Sequence, residues 1–215
     1  MERIICLVIG YACGLLQSGY LVGKMHHIDI RKAGSGNSGS TNALRVMGLK
    51  AGLMTFAGDV LKCFAAVLIV RAIYHGSNIL PLLMMYAGAG VTLGHNFPFY
   101  MNFKGGKGIA ASSGVIFSLV FFDWKFLALG IITFFVALAL TKYVSFSSLC
   151  LMTGFFLEMI IFGQLNMVHN LNQSEKIESY ILVGIMMVLS YIRHKDNIKR
   201  LVNGTERKIG QKKEA

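Results

Sequence analysis

KAGLMTFAGDVLKCFAAVLIVRAI, residues 50–73, is an almost uninterrupted apolar run with only a few charged side chains. An α-helix of about 20 apolar residues crosses the roughly 30 Å hydrocarbon core of a bilayer. Six further apolar runs lie on either side of it, at 4–22, 79–93, 109–122, 126–141, 147–163 and 177–193. The sequence therefore predicts an all-α membrane protein, built as a bundle of seven transmembrane helices.

The composition favours a single integral membrane domain over residues 1–215. Of the 215 residues, 54% are hydrophobic and 14% are charged, whereas a soluble domain carries about 25% charged residues. The runs 79–93 and 109–122 are shorter than a straight span requires, so flanking residues extend them, or one of the two is tilted or partly re-entrant. The first run has almost no basic n-region and no obvious small-residue cleavage site, so we expect a retained helix rather than a signal peptide.

The distribution of basic residues predicts the orientation of the chain. Sixteen of the 21 Lys and Arg residues fall in, or directly beside, the connections 24–49, 94–108 and 142–146 and the tail 194–215. Because cytoplasmic connections are enriched in Lys and Arg, we expect these segments and the C-terminus inside the cell, and the N-terminus outside. This location explains the net charge of +11 without nucleic acid, for which no recognition motif is present.

The first of three glycine-rich basic stretches reads GSGNSGSTNALR, at residues 34–45. It begins with G-x-G-x-x-G, but no β-strand or βαβ unit surrounds that pattern, so a dinucleotide site is not expected. Glycine allows several N–H groups to converge on one anion, and the polar side chains around it add donors. Thr41 or Asn42 is expected to cap a short helix that carries Arg45 about one turn later.

The second stretch reads GHNFPFYMNFKGGKG, at residues 94–108, and ends in two lysines among three glycines. It is not a Walker A loop, because Met101 stands at the first Gly position and Gly108 at the hydroxyl position, so nucleotide hydrolysis is not expected. Two ammonium groups on a glycine backbone ahead of a helix N-terminus still favour an anion. A positively charged flank alone would not need three glycines. His95 is expected to be a structural hydrogen-bonding residue.

The third stretch reads RHKDNIKRLVNGTE, at residues 193–206. It puts His194 and Asn197 on one face of a helix that leaves the membrane. Attraction of a basic tail to anionic lipid explains Lys195 and Lys199, but it does not explain the His–Asn pair. Because all three stretches are expected on the same face, they predict an interfacial, cytoplasmic site for a phosphorylated substrate.

Ionisable residues inside the apolar runs also need an explanation. Asp59 and Lys62 are three residues apart in one predicted helix, so they are expected to neutralise each other. Glu158 has no evident partner in the sequence and is expected to face the bundle or lie near its outer end. Neither a metal nor a cofactor is predicted, because the four cysteines form no metal-binding pattern with histidine.

Taken together, the three stretches resemble the signatures of the bacterial acyl-phosphate:glycerol-3-phosphate acyltransferases, GSGNxGxTNxxR, GHxxPxFxxFxGGKG and RHxxNIxRLxxGxE. Their order and spacing match over essentially the whole chain, with Tyr100 and Met101 as the one departure. The resemblance implies transfer of a fatty acyl group from acyl phosphate to the 1-hydroxyl of glycerol 3-phosphate, the first acylation of phospholipid synthesis. It also implies a multi-pass protein of the bacterial inner membrane, with membrane lipid and these substrates as partners and a monomer as the working expectation.

The resemblance also implies roles for individual residues. The expected catalytic residues are Ser35, Arg45, Lys104, His194 and Asn197. The expected substrate-binding residues are Gly36, Asn37, Thr41, Asn42, Gly105, Gly106, Lys107, Gly108 and Ser145. The His-x4-Asp base of soluble acyltransferases is absent from the sequence. An acyl phosphate has a good leaving group, so positioning and charge neutralisation suffice, and the proton goes either to His194 or to a substrate phosphate oxygen.

Two other functional classes are open from the residues alone. A transporter of an organic phosphate would use the same basic loops, but would need a polar path through helices that offer only Asp59, Lys62 and Glu158. A lipid-phosphate phosphatase would need a His nucleophile and a second His supported by Asp, which the sequence does not display. The acyltransferase is the function that the sequence favours.

Overall fold

The computed structural model describes residues 1–121, 123–168 and 171–211, and within them every regular element is helical. The predicted all-α fold is therefore confirmed for this part of the chain. The ten α-helices are α1 (Glu2–Gly14), α2 (Ser18–Met25), α3 (Ser40–Met47), α4 (Leu49–Ile73), α5 (Leu80–Asn96), α6 (Ile109–Ser118), α7 (Lys125–Thr141), α8 (Val144–Gln164), α9 (Gln173–Arg193) and α10 (Lys195–Val202). Short 3-10 turns lie at Ile30–Lys32, Phe99–Met101 and Leu119–Phe121.

Three stretches of the described chain are long and apolar enough to cross a membrane: Glu2–Met25, Leu49–Ile73 and Val144–Gln164. The segments Ile109–Phe121 and Lys125–Thr141 are apolar but shorter. Large hydrophobic side chains cover the outside of the bundle, and Leu140 is 80% exposed. An apolar exterior of this kind is compatible with lipid and not with water.

The first predicted span, 4–22, falls within the apolar stretch Glu2–Met25, but its helix is interrupted, because α1 ends at Gly14 and α2 begins at Ser18. Close packing of α1 on α5 explains why the chain uses glycine there. A Cβ built on Gly14 would lie 2.3 Å from the Val91 carbonyl oxygen, and one on Gly94 would lie 2.3 Å from that of Tyr11. The two backbones therefore touch, as small residues allow in membrane bundles.

The other predicted spans coincide with helices, and most of them are extended at one or both ends. The run 177–193 becomes Gln173–Arg193, because Asn172 and Glu175 form a capping box that starts α9 earlier. The run 109–122 instead ends as an α-helix at Ser118. Phe122 and residues 212–215 of the predicted tail lie outside the described residues.

Helix α5 is the centre of the bundle and directs the chain toward the candidate site. It packs most extensively on α1 and also contacts α4, α6 and α9. From Pro81 to Asn96 only Tyr86 and Leu93 are partly exposed, as expected for a helix that is apolar on all sides. Its last turn therefore carries His95 and Asn96, which are among the first residues of the second glycine-rich stretch.

Candidate functional site

The three stretches meet at one pocket of about 220 Å³. The first contributes Ser35 and Asn37, the second contributes Lys107, and the end of α9 with α10 contributes the remainder: Ile192, Arg193, Lys195, Asp196, Asn197 and Arg200. Residues more than 150 positions apart in the sequence thus face one cavity, which we call the phosphate pocket. Its cations suit an anionic ligand.

The first stretch owes its shape to the amide of Asn42, which is 2% exposed. Its Oδ1 accepts from the Ser35 N–H at 2.9 Å, and its Nδ2 donates to the carbonyls of Ala33 at 3.0 Å and Asn37 at 2.9 Å. The expectation that Thr41 or Asn42 caps the short helix is wrong. Gly39 occupies the cap position, since the Asn42 amide is already bound to the loop before α3.

Other polar groups of this stretch remain available to a ligand. The Ser35 side chain is exposed at the pocket, and Gly36 behind it takes a φ of 72°, a left-handed conformation that favours glycine. Arg45 is exposed on α3, and its guanidinium forms no hydrogen bond within the described part of the chain. Thr41 is half-buried and lies outside the pocket lining. An exposed, unpaired guanidinium is free to bind a phosphate with two parallel hydrogen bonds.

The second stretch is bound to the end of α5 through its glycines. The N–H groups of Gly105 and Gly106 donate to the carbonyls of Asn96 and His95, each at 3.1 Å. A Cβ on Gly106 would lie 1.9 Å from His95 Nε2, so only glycine fits there. Both N–H groups are already hydrogen-bonded to the last turn of α5. The two glycines therefore shape the loop, and their direct binding of substrate stays a prediction.

Arg193 holds the second stretch from the other side. Its Nη2 donates to the Gly105 carbonyl at 3.0 Å and to the Gly106 carbonyl at 2.8 Å, and its guanidinium lies 5.3 Å from the Phe97 ring centre. Arg193 was not assigned a role from the sequence, although it begins the third stretch. A guanidinium provides several donors in a fixed plane, which is why one residue can clamp two successive carbonyls.

The two lysines of the second stretch have different surroundings. Lys107 lines the pocket, where its Nζ donates to Asn197 Oδ1. Burial lowers the pKa of Lys107 to about 8, against the opposing effect of Glu206 and with the help of nearby arginines. Lys104 is exposed, and its ammonium forms no hydrogen bond or ion pair with a described residue. Gly108, with a φ of 83°, ends the loop and starts α6.

His194 lies at the joint between α9 and α10 and is 3% exposed. Its Nδ1 is 2.8 Å from the Ser190 carbonyl oxygen. Because a carbonyl only accepts hydrogen bonds, Nδ1 carries the proton and Nε2 is left as an acceptor. Burial, followed by the nearby charge of Lys107, lowers the pKa of His194 to about 4. The imidazole is therefore neutral at pH 7.

Glu206 connects the third stretch to α8 and was not assigned a role from the sequence. Its Oε1 accepts from Ser145 Oγ at 2.9 Å and from Asn197 Nδ2 at 2.7 Å, while its Oε2 accepts from Arg200 Nε at 2.6 Å. Burial alone would raise the pKa of Glu206, but these hydrogen bonds together lower it below its usual value. Ser145 thus donates to Glu206. Glu206 does not line the pocket itself but binds Asn197 and Arg200, which do. The contact of Ser145 with Glu206 joins residues 61 positions apart, so no local pattern indicates it.

The arrangement separates the expected site residues by whether they line the pocket. Ser35, Asn37, Lys107 and Asn197 line the pocket. Asn42, Gly105 and Gly106 contact lining residues, and Ser145 contacts Glu206, which in turn binds the lining residues Asn197 and Arg200. The other expected site residues lie outside the pocket lining: Gly36, Thr41, Arg45, Lys104, Gly108 and His194. Chemically, the pocket lining offers a hydroxyl and several cations, and His194, whose imidazole is neutral, is the residue between Arg193 and Lys195, both of which line the pocket. This set can bind phosphates and withdraw charge from a leaving group, but it contains no strong base.

The sequence and the fold are both similar to those of known proteins. A family model described as glycerol-3-phosphate acyltransferase matches residues 4–204. A glycerol-3-phosphate acyltransferase of Clostridioides difficile (strain 630) is 41% identical over 214 residues, 98% of this chain and 97% of the relative. The corresponding protein of Bacillus subtilis (strain 168) is 38% identical over 206 residues, 94% of this chain and 95% of the relative.

Two crystal structures resemble the fold described above. Both are of PlsY (YgiH), an integral membrane glycerol 3-phosphate acyltransferase, one in its glycerol 3-phosphate form and the other in its lysophosphatidic acid form. The TM-scores are 0.81 and 0.80, each at 27% identity and over 98% of this chain and 96% of the other.

Proposed function

This chain belongs to the glycerol-3-phosphate acyltransferase family and is an acyltransferase of phospholipid synthesis; we propose that its donor is an acyl phosphate. The acyl group passes to the 1-hydroxyl of glycerol 3-phosphate, giving lysophosphatidic acid and inorganic phosphate. The observation that carries the proposal is the phosphate pocket, whose lining includes the cations Lys107, Arg193, Lys195 and Arg200, with the buried, neutral His194 between Arg193 and Lys195 in the chain. Such a site suits a donor that already carries a good leaving group. Membership of a family of acyltransferases excludes the alternative function of an organic phosphate transporter.

The two phosphates are bound by the cations and hydroxyls around the pocket. Lys107, fixed by Asn197, contributes an ammonium inside the pocket, and the Ser35 hydroxyl faces it from the first stretch. Arg45 and Lys104 are exposed and unpaired among the described residues, so each is free to bind a phosphate that arrives from the water side. Charge-assisted hydrogen bonds of this kind are each worth about 1.5–3 kcal/mol.

The attacking hydroxyl loses its proton to a phosphate oxygen of the substrate. His194 has an acceptor at Nε2, but a group whose pKa is lowered to about 4 is a weak base at neutral pH. As the hydroxyl oxygen bonds to the acyl carbon, the bond from that carbon to the phosphate oxygen breaks, and the departing phosphate takes the electron pair. Lys107, as a cation, stabilises that charge.

We further propose that the chain crosses the membrane seven times, with the phosphate pocket facing the cytoplasm of a bacterial cell and the N-terminus outside the inner membrane. The surplus of Lys and Arg around the pocket supports this orientation. The acyl chain of the donor lies among the helices and enters sideways from lipid, and one copy of the chain is sufficient for the reaction.

Phosphate release by the purified protein tests the proposal. The protein is supplied with palmitoyl phosphate, with and without glycerol 3-phosphate, and in parallel with palmitoyl-CoA and glycerol 3-phosphate. We expect release that depends on glycerol 3-phosphate, an equal amount of lysophosphatidic acid, and no product from the thioester. Lysophosphatidic acid formed from palmitoyl-CoA and not from palmitoyl phosphate would reassign the donor. Release of phosphate in the absence of glycerol 3-phosphate would indicate a phosphatase.

A further inference from the structure

A buried polar cluster joins the first and second glycine-rich stretches, includes His95 from the start of the second, and takes no part in the reaction scheme above. It consists of Gln17, Asp59, Lys62 and His95, and we call it the buried hub. These side chains are 1%, 1%, 6% and 2% exposed, in that order. Burying several polar groups in a membrane bundle is costly unless they are hydrogen-bonded or paired with an opposite charge.

Lys62 makes more contacts than the neutralisation of one carboxylate requires. Its Nζ lies 2.8 Å from Asp59 Oδ1, which confirms the predicted pair. The same ammonium also donates to the Leu16 carbonyl at 2.6 Å and to the Gly14 carbonyl at 3.4 Å, and lies 2.8 Å from His95 Nδ1. Leu16 and Gly14 are at the interruption between α1 and α2, where helical hydrogen bonding stops. Lys62 thus joins that interruption to the end of α5.

The buried hub reaches both glycine-rich stretches through neighbouring contacts. His95 Nε2 lies directly against Gly106, and the His95 carbonyl accepts from the Gly106 N–H at 3.1 Å. The same carbonyl accepts from Gln17 Nε2 at 3.1 Å. Gln17 Oε1 in turn accepts from Ser38 Oγ of the first stretch at 3.0 Å. The separation of the two stretches therefore depends on the side chains of the buried hub.

We propose that Lys62 is a positioning residue, which sets the separation of the first and second stretches and so holds Ser35 and Lys107 across the phosphate pocket. The inference rests on the proposed function, because it assumes that substrate binds between those stretches. Lys62 touches no substrate. Its effect is through geometry, and a displacement of about 1 Å at a reacting centre can cost roughly 10²-fold in rate.

Three variants separate positioning from charge pairing. Lys62→Met removes the ammonium and leaves Asp59 as a buried carboxylate whose remaining neighbour of this kind among the described residues is His95 Nδ1, 3.5 Å away, which destabilises the fold. The double variant Asp59→Asn with Lys62→Met removes that charge without restoring the contacts to Leu16, Gly14 and His95. Lys176→Met is the matched control, because Lys176 is also buried, at 9% exposed, and its ammonium binds Asn166 at the other end of the bundle. For each protein kcat, KM for glycerol 3-phosphate and the unfolding temperature are measured in one detergent.

We expect the double variant to recover much of the unfolding temperature lost in Lys62→Met, while kcat/KM stays about 10²-fold below wild type, with KM for glycerol 3-phosphate raised. Lys176→Met should lower the unfolding temperature and leave KM within about twofold. A double variant within about twofold of wild type in kcat/KM would overturn the proposal, since Lys62 would then be only the counterion of Asp59.

Two further measurements keep the inference testable. Gln17→Leu leaves the Lys62–Asp59 pair intact but cuts the link to Ser38, so a loss of about tenfold in kcat/KM is expected even if the double variant does not fold, and an unchanged value would count against the buried hub. Stabilisation of each protein by glycerol 3-phosphate alone, without any donor, should be weaker in the hub variants. This second readout does not depend on the acyl donor, so a wrong donor assignment is distinguished from a failure of Lys62 as a positioning residue.

Discussion

The two ends of the bundle treat their charged side chains differently. At the end without the phosphate pocket, one ion pair is fully matched: Arg3 binds Glu178 through two hydrogen bonds of 2.5 and 2.9 Å, and Tyr86 donates to the same carboxylate at 2.7 Å. At the pocket end, Arg45 and Lys104 have no hydrogen-bonding partner among the described residues. Unmatched cations beside a cleft indicate that a ligand completes the pairing. Comparing the two ends therefore separates residues kept for binding from residues kept for folding.

The largest effect is expected from Lys107→Met at the pocket end. This change removes a cation that is partly buried in the pocket and fixed by Asn197. Removing one preorganised donor from a site that stabilises developing charge costs about 10²–10³-fold in rate. We expect a loss of that size in kcat/KM with palmitoyl phosphate and glycerol 3-phosphate, measured at saturating donor.

Lys104→Met is the matched control, because Lys104 is three residues earlier in the same stretch and is exposed. A cation surrounded by water contributes less to binding than one that is partly desolvated, so its loss should be smaller and fall mainly on KM. Equal losses in the two variants would mean that Lys104 moves onto the substrate. The expected catalytic role of Lys104 would then be supported beside that of Lys107.

Substitution of Glu206 should have the next largest effect, because its carboxylate neutralises Arg200 at the pocket end. Glu206→Gln keeps an acceptor for Ser145 and Asn197 but removes the charge that binds Arg200. Glu206→Ala leaves those three donors without their acceptor, and each unsatisfied buried group costs about 1–3 kcal/mol. We expect the Ala variant to lose more unfolding temperature and more kcat/KM than the Gln variant. If both variants matched wild type, Glu206 would have no part in fixing Asn197.

The pH dependence of the rate should report the pocket cation rather than the histidine. Lys107, whose pKa is lowered to about 8, is charged below that pH and neutral above it, so kcat/KM should fall as the pH rises through about 8. In Lys107→Arg the fall should move to much higher pH, because a guanidinium stays charged.

His194 gives the complementary control for the pH profile. With a pKa lowered to about 4, it stays neutral through pH 6–7, so His194→Gln should lower the rate without changing the shape of the profile in that range. A titration near pH 6–7 that is present in wild type and missing from His194→Gln would instead make His194 the general base.

The sequence could predict the elements better than the contacts between them. Long apolar runs predicted the helices because lipid imposes a length of about 20 residues on each span. The interruption at Gly14 was missed because glycine and Gln17 look ordinary inside an apolar run. It forms because α5 packs closely against Gly14 and because Gln17 donates to the carbonyls of Gly94 and His95. Those causes depend on residues far away in the sequence.

The same distinction applies to the candidate site. The composition of the three stretches was sufficient to predict that they meet on one face, and they do line one pocket. It was not sufficient to show which donors are free. The Asn42 amide binds its own loop and Ser145 donates to Glu206, and neither contact follows from the composition. Whether an amide faces a substrate or a carbonyl is decided by loop conformation, which residue spacing does not encode.

The smallest effect is expected from Arg3→Met at the opposite end. Arg3 and Glu178 are 38% and 28% exposed, and ion pairs of this kind contribute about 0–1 kcal/mol to stability. The variant should unfold at a slightly lower temperature, while kcat and KM stay within about twofold of wild type. Glu178 lies fifteen residues before Arg193 on α9, roughly 22 Å along the helix, so its charge has no direct route to the pocket. A clear rise in KM for glycerol 3-phosphate would show that α9 transmits changes from one end to the other, and the two ends could then no longer be treated as independent.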